Sequence, residues 1–201
     1  MVWVCKLSCN KIISIKNNDR KFYDSIIKSM KQEVLCRIKY RRLGELFNIP
    51  PYDAGSIHSM QDRDMRGIKR GDIMISIDEP LKIMIVDADM IHSKNIIANY
   101  KVNLKNFLLL RPKPSITDVS ASMLFLESKY GLLQLHEILC RKIINIESLN
   151  DIIIPHFPLS FEEKIERMYE ESVKDSKHSK ALHAYVMLLV EKYIEKQAGI
   201  K

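Results

Sequence analysis

The feature that most limits the fold lies beyond Pro158, where Ile165, Met168, Leu182, Val186, Leu189 and Tyr193 all fall on the a and d positions of one heptad frame. Only a helix collects such positions on a single face, so residues 161–201 are expected to form a long C-terminal spacer helix of coiled-coil type. Ser172, Asp175 and Ser179 occupy the middle of the same seam and weaken it there. The two apolar clusters on either side need cover, either from the chain's own body, as for most amphipathic helices, or from a partner helix. Tyr185 to Val190 is apolar on more than one side, which favours enclosure by at least two surfaces.

Upstream, the spacing is shorter and more varied. From Asp19 to Lys39 the apolar residues Phe22, Ile26, Ile27, Met30, Val34 and Leu35 recur at steps of three and four, which predicts an amphipathic helix with a basic outer face. Leu43 to Ile49 is a short element stopped by Pro50-Pro51. Ile73–Ile77, Lys82–Val86 and Phe107–Leu110 read as strands bounded by Gly71-Asp72, Glu79-Pro80 and Arg111-Pro112. Asp118 to Cys140 reads as a helix bent or divided at Gly131, and Ile143–Ile146 and Asp151–Ile154 as two further strands. The expected fold class is therefore α+β: a mixed β-sheet with packed helices at 43–160, preceded by a basic arm with an amphipathic helix at 1–42 and followed by the helix of 161–201.

Charge divides the chain along the same lines. Residues 1–42 hold eleven Lys and Arg against three Asp and Glu, residues 43–160 thirteen against fourteen, and residues 161–201 eight against eight. A basic excess confined to one arm suits a polyanion such as DNA, although surface lysines also serve solubility alone. The longest apolar runs are far below the roughly 20 residues needed to span a bilayer, so no membrane partner is expected. The start Met-Val-Trp-Val-Cys-Lys lacks the pattern of a secretory signal, and a cytoplasmic location is expected. Cys5, Cys9, Cys36 and Cys140 show neither a disulfide framework nor a completed zinc ligand set, and are read as buried free thiols.

Several stretches, in order, resemble the target recognition domains of type I restriction-modification specificity subunits. They are Arg42-Leu43-Gly44-Glu45-Leu46-Phe47-Asn48-Ile49, then Lys69-Arg70-Gly71-Asp72-Ile73-Met74-Ile75-Ser76, and finally Leu149 through Pro155-His156-Phe157-Pro158 to Ile165. Between the last two, Asn106 to Pro112 and then Ser128-Lys129-Tyr130-Gly131 fit the family's order. The likeness spans about residues 20 to 170. The family commonly has Pro where this chain has Phe157 and Gln where it has Glu162, and its segment between Ile49 and Gly71 is longer. A full specificity subunit also holds two recognition domains and two spacer helices, whereas this chain is similar to a single-domain, half-subunit form.

The resemblance implies a non-catalytic module that binds double-stranded DNA and directs methyltransferase and restriction subunits to their site. No cofactor and no metal are expected. A two-fold homodimer through the C-terminal helix would restore the second recognition domain and favour a split, palindromic site. Base reading needs cationic and amide side chains on a rigid scaffold, and His58, Gln61, Arg63, Arg66, Lys69 and Arg70 share one loop before a strand. Asp62 and Asp64 could instead pair with Arg63 and Arg66 and leave that loop a solvated turn. Arg20, Lys21, Lys28, Lys31, Arg37, Lys39, Arg41 and Arg42 suit phosphate contacts better than base contacts.

Other chemistries find less footing. Asp118 with Glu127-Ser128-Lys129 mimics a nuclease metal constellation, but the helical density from Met123 to Leu135 would scatter the carboxylates. There is no nucleophile elbow, no phosphate-cradling glycine loop and no methyl-donor fingerprint, and the six histidines share no spacing, so no catalytic residue is assigned. Two alternatives stay open: the C-terminal recognition fragment of a larger DNA methyltransferase, and an assembly protein that uses the C-terminal helix and binds no DNA.

Overall fold

A computed structural model describes residues 20–49, 68–76, 81–86, 107–114, 116, 119–139, 146–174 and 179–200. The chain enters through α1 (Arg20–Glu33) and tightens into a 3-10 turn at Leu35–Arg37. The amphipathic helix is thus shorter than its sequence period suggests. The turn lets Met30, Val34, Leu35 and Ile38 all reach the core while redirecting the backbone into the strand β1 (Tyr40–Arg42). Cys36, next to the inward Leu35, is exposed, contrary to the expectation of a buried thiol; Cys5, Cys9 and Cys140 lie outside the described residues.

A one-turn helix α2 (Leu43–Leu46) leads directly into β2 (Phe47–Asn48). The strands β3 (Ile73–Ser76), β4 (Lys82–Ile85) and β5 (Phe107–Pro112) join β2 in an antiparallel sheet of order β2-β5-β3-β4. Ile73 and Ile75 on β3, with Leu108 and Leu110 on β5, face the helical core. Met74 and its register partner Leu109 are buried on the other face. Burial of successive residues explains why these strands read as unbroken apolar runs instead of alternating ones.

Helices α3 (Ser120–Glu127) and α4 (Lys129–Leu139) take the place of the helix expected to be bent or divided at Gly131. The break falls at Ser128, whose backbone is extended (φ −66°, ψ 161°). Its hydroxyl donates to the Phe125 carbonyl (2.6 Å) and accepts the Gly131 N–H (3.3 Å), capping α4 as an N-terminal serine does. Gly131 serves close approach: a Cβ there would run into the Phe125 carbonyl oxygen and the Leu126 backbone. Every residue from Ser120 to Leu126 is buried, so α3 is the central helix and has no solvent face to give it a period.

Ile146, expected to end a strand, opens the short helix α5 (Ile146–Asn150); residues 143–145 lie outside the described residues. The strand β6 (Ile153–Pro155) then pairs antiparallel with β1 in a two-stranded sheet of its own.

The C-terminal region differs most from expectation. It forms two helices, α6 (Leu159–Lys174) and α7 (Ser179–Gln197), in place of one long spacer helix. They run antiparallel, because the Phe161 ring lies 4.5 Å from Tyr193 and the Tyr169 ring 6.2 Å from His183. Ile165, Ser172 and Val186 of the heptad seam are buried, as are Val190 and Ile194, and α3 supplies the cover. Of the polar middle of the seam, Ser172 lies in α6 and Ser179 opens α7, while Asp175 is outside the described residues. Among the described residues no helix is long and apolar enough to cross a membrane.

Candidate nucleic-acid interface

The basic strand β1 is fixed from behind. Its ladder with β6 pairs Tyr40 with Pro155, Arg41 with Ile154 and Arg42 with Ile153. Flanking bonds from the His156 N–H to the Lys39 carbonyl (2.8 Å) and from the Leu43 N–H to the Ile152 carbonyl (2.8 Å) extend it. On the other edge of β6, the Gln134 side chain imitates a neighbouring strand. Its amide donates to the Ile153 carbonyl (3.0 Å) and its oxygen accepts the Ile153 N–H (2.9 Å), and Gln134 itself is only 1% exposed. The backbone of β1 is therefore held through β6 to α4, while Lys39, Tyr40, Arg41 and Arg42 all face solvent.

Lys28 and Arg37, upstream on the same arm, are exposed as well. Lys31 is not available in the same way, since its Nζ lies 3.2 Å from the Glu137 carboxylate of α4. Arg42 meets Asp151 at 2.8 Å, but both side chains are more than half exposed, and such pairs contribute about 1 kcal/mol or less. The Arg41 guanidinium lies 3.2 Å from His156 Nε2. Glu162, in the first turn of α6, faces both. Burial raises its pKa, opposed by the attraction of His156 and Arg41.

The second basic pair sits on an equally rigid mount. Lys69 and Arg70 are exposed on the turn before β3, where Gly71 takes φ +87°, a conformation that side chains rarely adopt. Asp72 is 1% exposed and accepts the Lys69 N–H at 2.8 Å. The Arg111 guanidinium of β5 grips the same carboxylate with two bonds, Nε to Oδ1 at 3.0 Å and Nη2 to Oδ2 at 2.8 Å. Of the six expected base readers, Lys69 and Arg70 are presented this way; His58, Gln61, Arg63 and Arg66 lie outside the described residues. Arg20 and Lys21 fall in the first turn of α1.

The resembling motifs have local structural duties. In Leu43-Gly44-Glu45, Leu43 is fully buried, and Gly44 packs so close to α5 that a Cβ would stand 2.8 Å from Asn150 Cβ. The Glu45 carboxylate accepts the Arg42 N–H (3.2 Å). Phe157, where the family has Pro, is buried against the rings of Phe161 and Tyr193, each 5.4 Å away.

The nuclease-like tract is taken up by α7. Glu127 lies 2.8 Å from His183, and Lys129 Nζ lies 2.6 Å from Glu195; Asp118 is outside the described residues. Among the described residues no three His, Cys, Asp or Glu side chains are grouped as a metal ion needs.

Sequence reasoning alone does not single out Gln134, Arg111 or Glu162 as site residues. An amide within a leucine-rich helix is the available signal for Gln134; Arg111 reads from sequence only as a strand boundary, and Glu162 only as a departure from the family. No family model matches the chain and no curated protein matches it, so its function is argued from the residues themselves.

Proposed function

We propose that the protein is a non-catalytic, sequence-specific DNA-binding module that directs a restriction-modification methyltransferase complex to its site. The observation that carries this reading is the set of exposed cations Lys28, Arg37, Lys39, Arg41 and Arg42, of which Arg41 and Arg42 stand on a strand anchored through β6 and Gln134. Duplex DNA presents closely spaced phosphates, and cations on a preset backbone lose little freedom in meeting them. Lys69 and Arg70, locked by Gly71 and the Asp72–Arg111 fork, are the base readers among the described residues. The ordered motifs of the type I recognition domain support the same reading.

In this reading methyltransferase and restriction subunits are the protein partners and supply the chemistry, and the chain itself carries no cofactor and works in the cytoplasm. The setting of half-site distance falls to the α6–α7 hairpin, not to one long helix. A homodimer would use the apolar side chains that α7 leaves exposed, Tyr185 and Leu188. That same apolar surface is what favours the second reading, an assembly protein that binds no DNA.

Fluorescence anisotropy of a labelled duplex across a salt series separates them. The wild-type chain is expected to bind with a steep salt dependence. An Arg41→Ala/Arg42→Ala variant should bind more weakly, with the slope of log K against log salt reduced by about 0.9 for each phosphate that is no longer neutralised. An unchanged slope would remove β1 from the interface, and absence of binding would favour the assembly protein.

A further inference from the structure

Helix α7 is tied to the α3–α4 corner at two places of different chemistry. Toward its C-terminal end, Lys129 Nζ lies 2.6 Å from Glu195, the Lys129 N–H donates to Glu191 (3.0 Å), and the Tyr130 hydroxyl donates to Glu195 (3.2 Å). These contacts form a clamp at that end of the helix. Toward its N-terminal end the tie is His183 Nε2 against Glu127 Oε2 at 2.8 Å, and histidine alone changes charge near neutrality. Between the two ties lies an open groove of about 440 Å³, floored by Leu81, Ile83, Leu132, Met187 and Leu188.

We infer that His183 and Glu127 form a proton-controlled latch that holds the first turns of α7 on the body. The groups that face His183 agree with that role. From α3 comes the Glu127 carboxylate; from α6 the Tyr169 ring, 6.2 Å away. Glu191 of α7 lines the same groove but is engaged by Lys129 of α4, and β4 with the residue before it contributes the apolar Ile83 and Leu81. Among the described residues, Glu127 is thus the charged group in direct contact. The bond to Glu127 raises the pKa of His183, burial works against it, and the Coulomb attraction of Glu127 adds to the rise.

The sign follows from the raised value. The latch is fully formed below the ordinary histidine range, about pH 6.5, and weakens as pH rises through the higher folded value. A neutral ring can still hydrogen-bond but no longer attracts the carboxylate as a cation. The Lys129–Glu195 clamp persists, so α7 is released from its N-terminal end only. None of this depends on whether the chain binds DNA.

Two measurements on the full chain decide it. The His183 ring carbon-bound proton, followed by NMR from about pH 5.5 to 8.5, should titrate above the ordinary histidine range, and in Glu127→Gln should fall back toward it. Hydrogen-exchange protection at residues 183–187 should decline over the same interval. The decline should match the factor by which Glu127 raises the proton affinity of His183, with protection near Glu195 unchanged. If Glu127→Gln does not fold, the wild-type titration and exchange profile stand alone. Titration of wild-type His183 at or below the ordinary range, or protection of 183–187 that ignores pH, overturns the latch.

Discussion

Gln134 shows how one side chain can set the position of a surface several residues away. Both functional atoms of its amide are spent on Ile153, so the inner edge of β6 is satisfied without a third strand. Gln134→Leu keeps the volume and strands both backbone groups of Ile153, which should cost about 3 kcal/mol in urea unfolding. A cost near zero would mean that water or another group takes over the amide's role. Glu162 makes a different prediction. Its pKa is raised above the ordinary 4.5 chiefly by burial, so the folded state favours the neutral acid. That preference stabilises the fold below the ordinary value and is lost as pH rises through the folded one. Glu162→Gln, the residue usual in the resembling family, should therefore raise the melting temperature at neutral pH and leave it unchanged near about pH 4. A melting temperature that falls at neutral pH would show that Arg41 and His156 need the charge more than burial opposes it.

At the scale of elements, the antiparallel α6–α7 hairpin has energetic consequences that a protruding helix would not. Ile194 is fully buried against the body, and Ile194→Ala should lower the unfolding free energy by about 3 kcal/mol; on a free-standing helix the same change would cost little. Chemical denaturation monitored by circular dichroism gives the value. The heptad seam is legible because burial repeats along a helix whatever covers it, but a periodic face does not name its partner. Strands β3, β4 and β5 are legible because Gly71, Pro80 and Pro112 punctuate them. At Ile146 the expected strand misleads because local β preference is weak against tertiary context, which places that residue in a helix. Between α3 and α4 the glycine draws the eye as the breaking point, whereas the serine cap makes the break and the glycine only permits the helices to touch.

For the whole molecule, the distribution of charge is readable from sequence and the mounting of that charge is not. An excess of cations up to Arg42 is a count; that Arg41 and Arg42 stand exposed on a strand held by β6 is seen only in the fold. The Asp72–Arg111 fork joins residues 39 apart in sequence, and only the pairing of β3 with β5 brings them together. The molecule so built has a fixed basic face at β1, an anchored cationic turn at Lys69 and Arg70, and a helical hairpin closed over α3. The proposed function requires these cations to read sequence as well as charge. Selection of the purified chain against a randomised duplex pool, at two salt concentrations and with its mass in solution recorded, is the test. Enrichment of a short motif is expected, doubled at a fixed gap if the protein is a dimer, and it should be lost in a Lys69→Ala/Arg70→Ala variant. Salt-sensitive binding with no enriched motif, or no binding, would rule sequence reading out.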